Sequence, residues 1–390
     1  MRIKNIKIRE ILATNAKKTL EAEIETFKGK VRASVPIGTS RGRYEAKYLP
    51  TDQAIRKFLM IKRYFTSEDF SDMEAVDTLL RSIDNTSDFR DIGGNVALAV
   101  SSAFLKAFAL DEGKEVYEYV WELTKQKDKP IMPKPISNVL GGWYNSDIQE
   151  YLLLPIHQIS FKDSIEKISA AYLEIAEVLK QKDKNFLFSR NLESGWVSTS
   201  NFEDILNILT SISKKHLLKI GLDMAASHLW DGNNYAYKQS GLRLSKINQI
   251  SFIEDLMKRY SILYVEDPFH EDDYVSFGAL NLRMDGRIIC GDDLYVTNID
   301  RLRYGIESKS SNAILIKPNQ VCTITDVIKT VEEAKKNKMI TIFSHRSSDT
   351  EDTINSHLAV GLGSEYVKFG LAGERTNKIN ELIRIEENLK

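Results

Sequence analysis

The sequence is poor in most features that mark specialised proteins. Only two cysteines occur, Cys290 and Cys322, and they show no paired spacing. That excludes a disulfide framework, offers no zinc-site pattern and fits a reducing interior. Long hydrophobic runs are missing too. The most apolar stretch, Val96 to Leu110, is broken by Ser101, Ser102 and Lys106. It is too short and too polar to span a bilayer and is predicted to be a buried helix. The N-terminus alternates apolar and basic residues from Met1 to Ile8 and lacks a signal-peptide core, so a cytoplasmic location is expected. Neither sign of charge prevails: 54 Lys and Arg face 55 Asp and Glu, a net charge of -1. That balance argues against nucleic acid or an anionic membrane as the main partner. The basic cluster Lys125 to Lys129 is interrupted by Gln126 and Asp128 and reads as a solvated face.

What remains is an ordinary soluble composition, 42% hydrophobic and 28% charged, over 390 residues, enough for two domains. Residues 1 to about 50 are predicted to form strands. Ile3, Ile6 and Ile8 precede a turn at Asn15-Ala16-Lys17-Lys18. Leu20, Ala22 and Ile24 then alternate with Glu21, Glu23 and Glu25, the pattern of a half-buried strand. Residues 51 to 125 read as helical. Pro130, Pro133 and Pro135 mark a linker from Lys127 to Pro135, which sets the expected domains at 1–126 and 127–390.

After the linker, short apolar runs alternate with longer helix-like stretches, and each run ends on a polar residue. The residues so placed are Asp223, Glu266, Asp292, Lys317, His345 and Lys368. Apart from the first, the steps between them are about one α/β unit. Continuously apolar strands in such units imply a parallel sheet covered on both faces. Polar strand ends favour a barrel, whose active site gathers side chains from the C-terminal ends of its strands. An open doubly wound sheet is the alternative, but no glycine-rich nucleotide loop follows the first strand.

On a barrel Asp223, Glu266 and Asp292 converge. Three converging carboxylates repel one another unless a cation neutralises them, and hard oxygen ligands select Mg²⁺ over zinc. Singly, each reads as a solvated strand end. Lys317 ends a buried strand, and a nearby metal with desolvation would lower its pKa towards that of a general base. The structural alternative is an ion pair with one of the acids. Pro318 biases Lys317 towards extended backbone. Ser344-His345-Arg346-Ser347 offers donors for phosphate or carboxylate, and Lys368 adds a second positive charge. The plainer reading makes His345 a core histidine and pairs Arg346 with Asp349 or Glu351. Together these groups suit proton abstraction next to a metal-bound carboxylate.

The chain resembles enolase, the phosphopyruvate hydratase family, along nearly its whole length. The motifs that carry the resemblance are Val35-Pro36-Ile37-Gly38-Thr39-Ser40-Arg41-Gly42 with Tyr44-Glu45-Ala46, Gln149-Glu150-Tyr151, and Leu222-Asp223-Met224-Ala225-Ala226-Ser227. Then come Val265 to Asp273, Gly291 to Asn298, Ile316-Lys317-Pro318-Asn319-Gln320, Ser344 to Ser347 with Thr350 to Thr353, and Arg384-Ile385-Glu386-Glu387. A lysine base working with Mg²⁺ is a known feature of enolase-superfamily sites, so that pairing comes with the resemblance.

The resemblance implies a C-terminal enolase-type (β/α)8 TIM-like barrel behind an N-terminal α+β domain. It implies that Asp223, Glu266 and Asp292 hold one Mg²⁺ and that Ser40, on a mobile loop, ligates a second with the substrate phosphate. Lys317 would take the C2 proton of 2-phosphoglycerate. Glu193 would assist loss of the C3 hydroxyl, supported by Glu150. Arg346 and Ser347 would hold phosphate, with Lys368 on the carboxylate side and His345 and Gln149 among the substrate-binding residues. A homodimer is implied, with Glu21 and Arg384 at positions that pair across its interface.

Departures from the family pattern gather on one side. The loop Leu140-Gly141-Gly142-Trp143-Tyr144-Asn145 is shorter than the family's and lacks its histidine. Leu192 stands where the family has Asp before the acid, and Ser194 where it has Gly. Ile37 and Arg41 replace Ser and Thr on the mobile loop, Ser348 and Asp349 replace Gly and Glu, and Ala13 to Lys18 replaces an Asp-Ser-Arg-Gly-Asn-Pro turn. The metal acids and lysines are kept, while the acid half and the lid are altered. Three readings stay open: an enolase, expected first; a related lyase for another phosphorylated or hydroxylated acid; and a non-catalytic binding protein.

Overall fold

A computed structural model describes residues 1–38, 42–124, 129–141 and 146–389. Ser40 and Arg41, the loop segment Gly142 to Asn145 and most of the Lys125 to Lys129 cluster lie outside the described residues.

The first 34 residues form an antiparallel sheet of β1 (Asn5–Leu12), β2 (Lys18–Glu25) and β3 (Lys30–Ser34) in that order. Pairing runs from Asn5↔Glu25 to Leu12↔Lys18, with the expected turn between. One expectation is corrected here. β2 is not half-buried, because Glu21 and Glu23 are buried along with Leu20, Ala22 and Ile24. β2 is the central strand, and its neighbours fold basic side chains over its acidic face. Lys7 and Arg9 each reach Glu23 at 2.8 Å and Arg32 at 2.7 Å, while Arg9 also pairs with Glu21. The other face packs on helices α1 (Thr51–Ser67) and α3 (Gly94–Glu112), and α2 (Met73–Ile83) and α4 (Val116–Leu123) pack on α3. α3 is the expected buried helix, lying against β2 and β3.

The chain then runs through β4 (Lys134–Gly141), β5 (Glu150–Pro155), α5 (Phe161–Lys182), β6 (Trp196–Val197), α6 (Phe202–Lys215) and β7 (Leu218–Asp223). A small hairpin, β8 (Tyr235–Ala236) and β9 (Arg243–Leu244), leads to α7 (Lys246–Arg259) and β10 (Tyr264–Glu266). Next are α8 (Tyr274–Arg283), β11 (Ile288–Gly291), α9 (Ile299–Glu307), β12 (Ala313–Ile316), α10 (Pro318–Val321) and α11 (Ile324–Lys336). The chain ends on β13 (Ile340–Ser344), α12 (Ile354–Gly361), β14 (Tyr366–Lys368) and α13 (Thr376–Leu389).

Eight strands close into a barrel in the order β4-β5-β7-β10-β11-β12-β13-β14, with β14 returning to β4. The expected all-parallel sheet is corrected at one strand: β5 runs antiparallel to both β4 and β7. The few residues between β4 and β5 cannot hold a crossover helix, so the pair must be a hairpin. Glu150, at the start of β5, therefore lies at the same mouth as the ends of the parallel strands, opposite Asp223.

The site follows from strand parity. Side chains alternate between faces with a period of two. The barrel interior is a separate apolar cluster that includes Ile136, Leu152, Tyr264, Cys290, Leu315 and Ile342. Two residues nearer the mouth on the same faces come Asn138, Glu150, Glu266, Asp292, Lys317 and Ser344, and Lys368 follows Tyr366 likewise. The polar residues are thus the uppermost layer of the barrel's own interior. Gly221, two before Asp223, sits in a crowded place: a Cβ there would lie 3.1 Å from Tyr264 and 3.3 Å from Leu152, so those side chains would have to give way by a few tenths of an ångström.

Candidate active site

A small polar cleft opens at the barrel mouth. Of the residues expected from sequence, Gln149, Glu150, Glu193, Asp223, Asp292, Lys317, His345, Arg346, Ser347 and Lys368 line it. Glu266 lies beneath, fully buried, accepting a hydrogen bond from the Tyr264 hydroxyl at 2.6 Å.

Two lysines organise the acids. Lys368 Nζ lies 2.6 Å from Glu150, 2.7 Å from Asp223 and 2.7 Å from Glu266. Lys317 Nζ pairs with Asp292, whose other oxygen accepts from Gln320 Nε2 at 2.9 Å. Gln149 Nε2 donates to Asp223 at 3.4 Å. Burial alone would lower the pKa of Lys317, but the adjacent Asp292 charge reverses this and the net shift is upward. Lys317 is thus held as a charged partner of Asp292.

Negative charge remains in excess. Burial, then the charge of Asp223, drives Glu266 well above the usual carboxylate range. Asp267 is raised by burial and by Asp293 and Asp292, and Asp293 is pushed up to about 7 by burial and Asp292. Asp267, Asp292 and Asp293 offer oxygens within 4.8 Å of one another; of the expected trio Asp223, Glu266 and Asp292, only Asp292 belongs to this group. Crowded, all-oxygen donors whose charges repel are what a hard divalent cation relieves, so the residues present fit Mg²⁺.

The backbone around these groups is held in uncommon conformations. Asp267 has φ 41°, and its carboxylate accepts from the amides of Asp292 at 2.9 Å and Asp293 at 2.8 Å. Val296 and Thr297 have φ 44° and 57°, costly for β-branched residues. Thr297 uses that geometry to accept from the Lys317 amide at 2.9 Å and to donate to Gln320 Oε1 at 2.6 Å. Strain in the Asp292 to Asn298 turn thus aims both partners of Asp292.

A second trio forms the acid side. Glu150, Glu193 and His345 offer ligand atoms within 4.8 Å of one another. His345 Nδ1 accepts from the Gly370 amide at 2.9 Å, which leaves Nε2, 2.7 Å from Glu193, to carry the ring proton. Burial and the nearby Arg375 lower His345 to about 4, so it is neutral at physiological pH. Burial would raise Glu193, but His345, Arg375 and Lys368 hold it below the usual carboxylate range. Glu150 is pushed up to about 8, chiefly by burial, against the pull of Lys368. Of the two carboxylates, burial thus favours a proton on Glu150, while its neighbours favour the charged form of Glu193.

Arg346 does not pair with Asp349 or Glu351 as the plain reading had it. Its guanidinium forks onto buried Glu45 from the N-terminal domain, with contacts of 3.0 and 3.1 Å. Its amide donates to Asp349 at 3.3 Å. Sequence reasoning missed a role for Glu45, although Tyr44-Glu45-Ala46 marked the spot. It also missed His228, which lines the cleft just beyond Asp223, and Arg375, which no strand-end pattern could reveal.

Comparison with known proteins agrees with this geometry. The family model described as the enolase N-terminal domain matches residues 3–120, and that described as the enolase C-terminal TIM barrel domain matches residues 129–390. The chain is 35% identical to the enolase of Methanosphaera stadtmanae, with 99% of this chain and 97% of that protein covered. It is 36% identical to the enolases of Methanocorpusculum labreanum and Halorubrum lacusprofundi, with 99% of every chain covered. With both domain models matched and relatives of this identity aligned from end to end, the chain belongs to the enolase family.

Proposed function

We propose that this chain catalyses the reversible dehydration of 2-phosphoglycerate to phosphoenolpyruvate, a carbon–oxygen lyase reaction of glycolysis and gluconeogenesis, with Mg²⁺ as cofactor. The observation that carries the reading is one cleft holding a lysine for proton removal, the Glu150–Glu193–His345 trio and an excess of buried carboxylates. A small, polar cleft of this kind suits a compact, multiply charged acid.

Lys317 is the base for the C2 proton, and it must first release its bond to Asp292 and its own proton. Glu193 assists departure of the C3 hydroxyl as water, and Glu150 within the same trio supplies the proton. Arg346 and Ser347 hold the phosphate, Lys368 the carboxylate side, and Gln149 and His345 line the substrate site. Asp223, Glu266 and Asp292 would hold one Mg²⁺ and Ser40 would help hold a second. When bound, Mg²⁺ supplies positive charge beside the substrate carboxylate as the C2 proton leaves.

The proposal extends to organisation. The division at 1–126 and 127–390 is supported by family matches that break between residues 120 and 129. Among the described residues no helix is long and apolar enough to cross a membrane, which is compatible with a cytoplasmic enzyme. A homodimer would exchange the pairs made within one chain, Glu21 with Arg9 and Arg384 with Glu381, for Glu21–Arg384 pairs between subunits.

The test is the ultraviolet absorbance rise of phosphoenolpyruvate when protein meets 2-phosphoglycerate and Mg²⁺. The rise should vanish with chelator and in Lys317→Ala. A flat trace with Mg²⁺ still bound would instead favour another acid substrate or a non-catalytic binding role, the readings that Leu192 and the missing loop histidine keep open.

A further inference from the structure

Behind the acid side lies a buried cation that the proposed chemistry does not use. Arg375 closes the short 3-10 turn Gly373–Arg375 ahead of α13 and is only 2% exposed. Its guanidinium donates to main-chain carbonyls: Nε to Leu192 O at 2.9 Å, Nη1 to Arg346 O at 2.6 Å, and Nη2 to Ser347 O at 2.5 Å and to Leu192 O. Among the described residues no carboxylate forms an ion pair with it, although its charge helps to lower the pKa of Glu193. A buried guanidinium whose hydrogen bonds all go to main-chain carbonyls is expensive, so its retention asks for a reason.

The reason lies in what it joins. Leu192 precedes Glu193 in a turn without regular structure, and Arg346 and Ser347 follow His345 in another. The Glu193 turn depends on local bonds, Asn191 Oδ1 accepting from the amides of Glu193 at 3.0 Å and Gly195 at 2.9 Å, with Ser194 at φ 69°. The segment carrying Arg375 grips both turns elsewhere as well. Gly370 N donates to His345, and Ser194 Oγ donates to Ala372 O at 2.7 Å. Packing there leaves no slack: a Cβ on Gly370 would sit 2.5 Å from Arg375 Cδ and 3.1 Å from Glu193 O.

We propose that Arg375 is a positioning residue for the acid side, its planar fork fixing Glu193 against His345 by tying the Leu192 carbonyl to those of Arg346 and Ser347. The inference rests on Glu193 acting in loss of the C3 hydroxyl. Lysine keeps the charge but is a single point, unable to span three carbonyls. Removal of C2–H depends on Lys317, which Arg375 does not touch.

The experiment uses the full chain with Mg²⁺ and 2-phosphoglycerate in deuterium oxide and follows two rates. Proton magnetic resonance reports exchange at C2, and absorbance reports phosphoenolpyruvate. Arg375→Lys should slow phosphoenolpyruvate formation by about tenfold to a hundredfold and C2 exchange by less than about threefold. Loss of both rates by one factor, the mark of a general structural role, overturns the inference, as does retention of both. If Arg375→Lys does not fold, Gly370→Ala, which keeps the guanidinium but displaces it, should show the same skew, and equal losses overturn the inference there too. Glu193→Gln separates the two levels. If it skews the rates while both other variants leave them unskewed, Arg375 has no such role and the acid assignment stands. If Glu193→Gln itself gives no skew, the acid assignment fails and the inference falls with it.

Discussion

Replacing Lys368 with Met tests the electrostatic account of the site most directly. Methionine keeps the apolar stem and most of the volume but removes a charge that lies 2.6–2.7 Å from each of Glu150, Asp223 and Glu266. Breaking a buried pair by deleting one partner costs about 3–5 kcal/mol. The three acids do not each lose that amount. Glu150 is pushed up to about 8, chiefly by burial, so it gives the weakest charge pairing of the three near neutrality. Asp223 keeps bonds from Gln149 Nε2 at 3.4 Å and the Ala225 amide at 3.1 Å. The loss should therefore be about one pair, roughly 3–5 kcal/mol, a large share of the ~5–15 kcal/mol that holds a domain folded.

The loss should depend on pH. Glu266 already titrates above its ordinary 4.5 in the folded chain, and removing Lys368 raises it further. A group raised by folding contributes stability that is complete below its unfolded pKa and disappears as pH climbs through its folded value. The variant should thus be weakened more at pH 8 than at pH 5. Mg²⁺ should restore more stability to the variant than to the parent, because the ion replaces the missing positive charge. At a hundredfold excess over Kd, mass action alone returns about 2.7 kcal/mol. Urea unfolding with chelator and with Mg²⁺, at both pH values, reads all three effects. A variant within about 0.5 kcal/mol of the parent in chelator at pH 8, the scale of an ordinary surface change, would refute the reasoning. So would a larger loss at pH 5.

Other sites give independent checks. Asp77 on α2 accepts from Thr325 N at 2.8 Å and Thr325 Oγ1 at 2.6 Å, joining the N-terminal helices to the start of α11. Burial pushes it up to about 6 from 3.8. It supports folding fully below its unfolded value and progressively less as pH rises through 6, by about 3 kcal/mol in all. Asp77→Asn should flatten that fall, measured as unfolding midpoints at pH 4 and pH 7. Gly221→Ala, with its Cβ against Tyr264 and Leu152, should cost about 1–3 kcal/mol in thermal unfolding. Glu386 accepts from the amides of Phe161 at 2.6 Å and Lys162 at 3.2 Å at the start of α5. Glu386→Ala should therefore destabilise by about 1–2 kcal/mol while leaving KM for 2-phosphoglycerate unchanged.

The part of the site built on strands was legible because strand geometry is periodic. Once the apolar runs before Asp223, Glu266, Asp292, Lys317 and Lys368 are read as barrel strands, parity and closure bring their ends together without further information. Glu150 was not legible in this way. It begins its strand, and it reaches the mouth only because β5 runs backwards. Nor was the burial of Glu21 and Glu23, since alternation within β2 says nothing about arginine and lysine arriving from β1 and β3. Glu45 on Arg346 and Arg375 on three carbonyls are contacts between loops far apart in sequence, which no local period encodes.

The same distinction explains how the acid side departs from the family pattern yet holds together here. Where the family has Asp, the Leu192 side chain points outward, 52% exposed, and the position is anchored through its carbonyl instead. A carbonyl is present whatever residue is chosen, so this anchor survives the substitution. Ser194 stands at φ 69° where glycine would be unstrained, but its hydroxyl gains a bond to Ala372 O and its own carbonyl accepts from Tyr172 at 2.8 Å. Asp349, shorter than the family's Glu, still reaches Lys378 at 3.1 Å and the Arg346 amide at 3.3 Å. The proposed metal site depends on side-chain carboxylates, and its residues are kept, whereas the turn that carries Glu193 is framed by main-chain groups that remain when the side chains change. Arg375→Lys should accordingly disturb hydroxyl loss more than Leu192→Ala does, because the first removes the fork and the second leaves the bonded carbonyl in place.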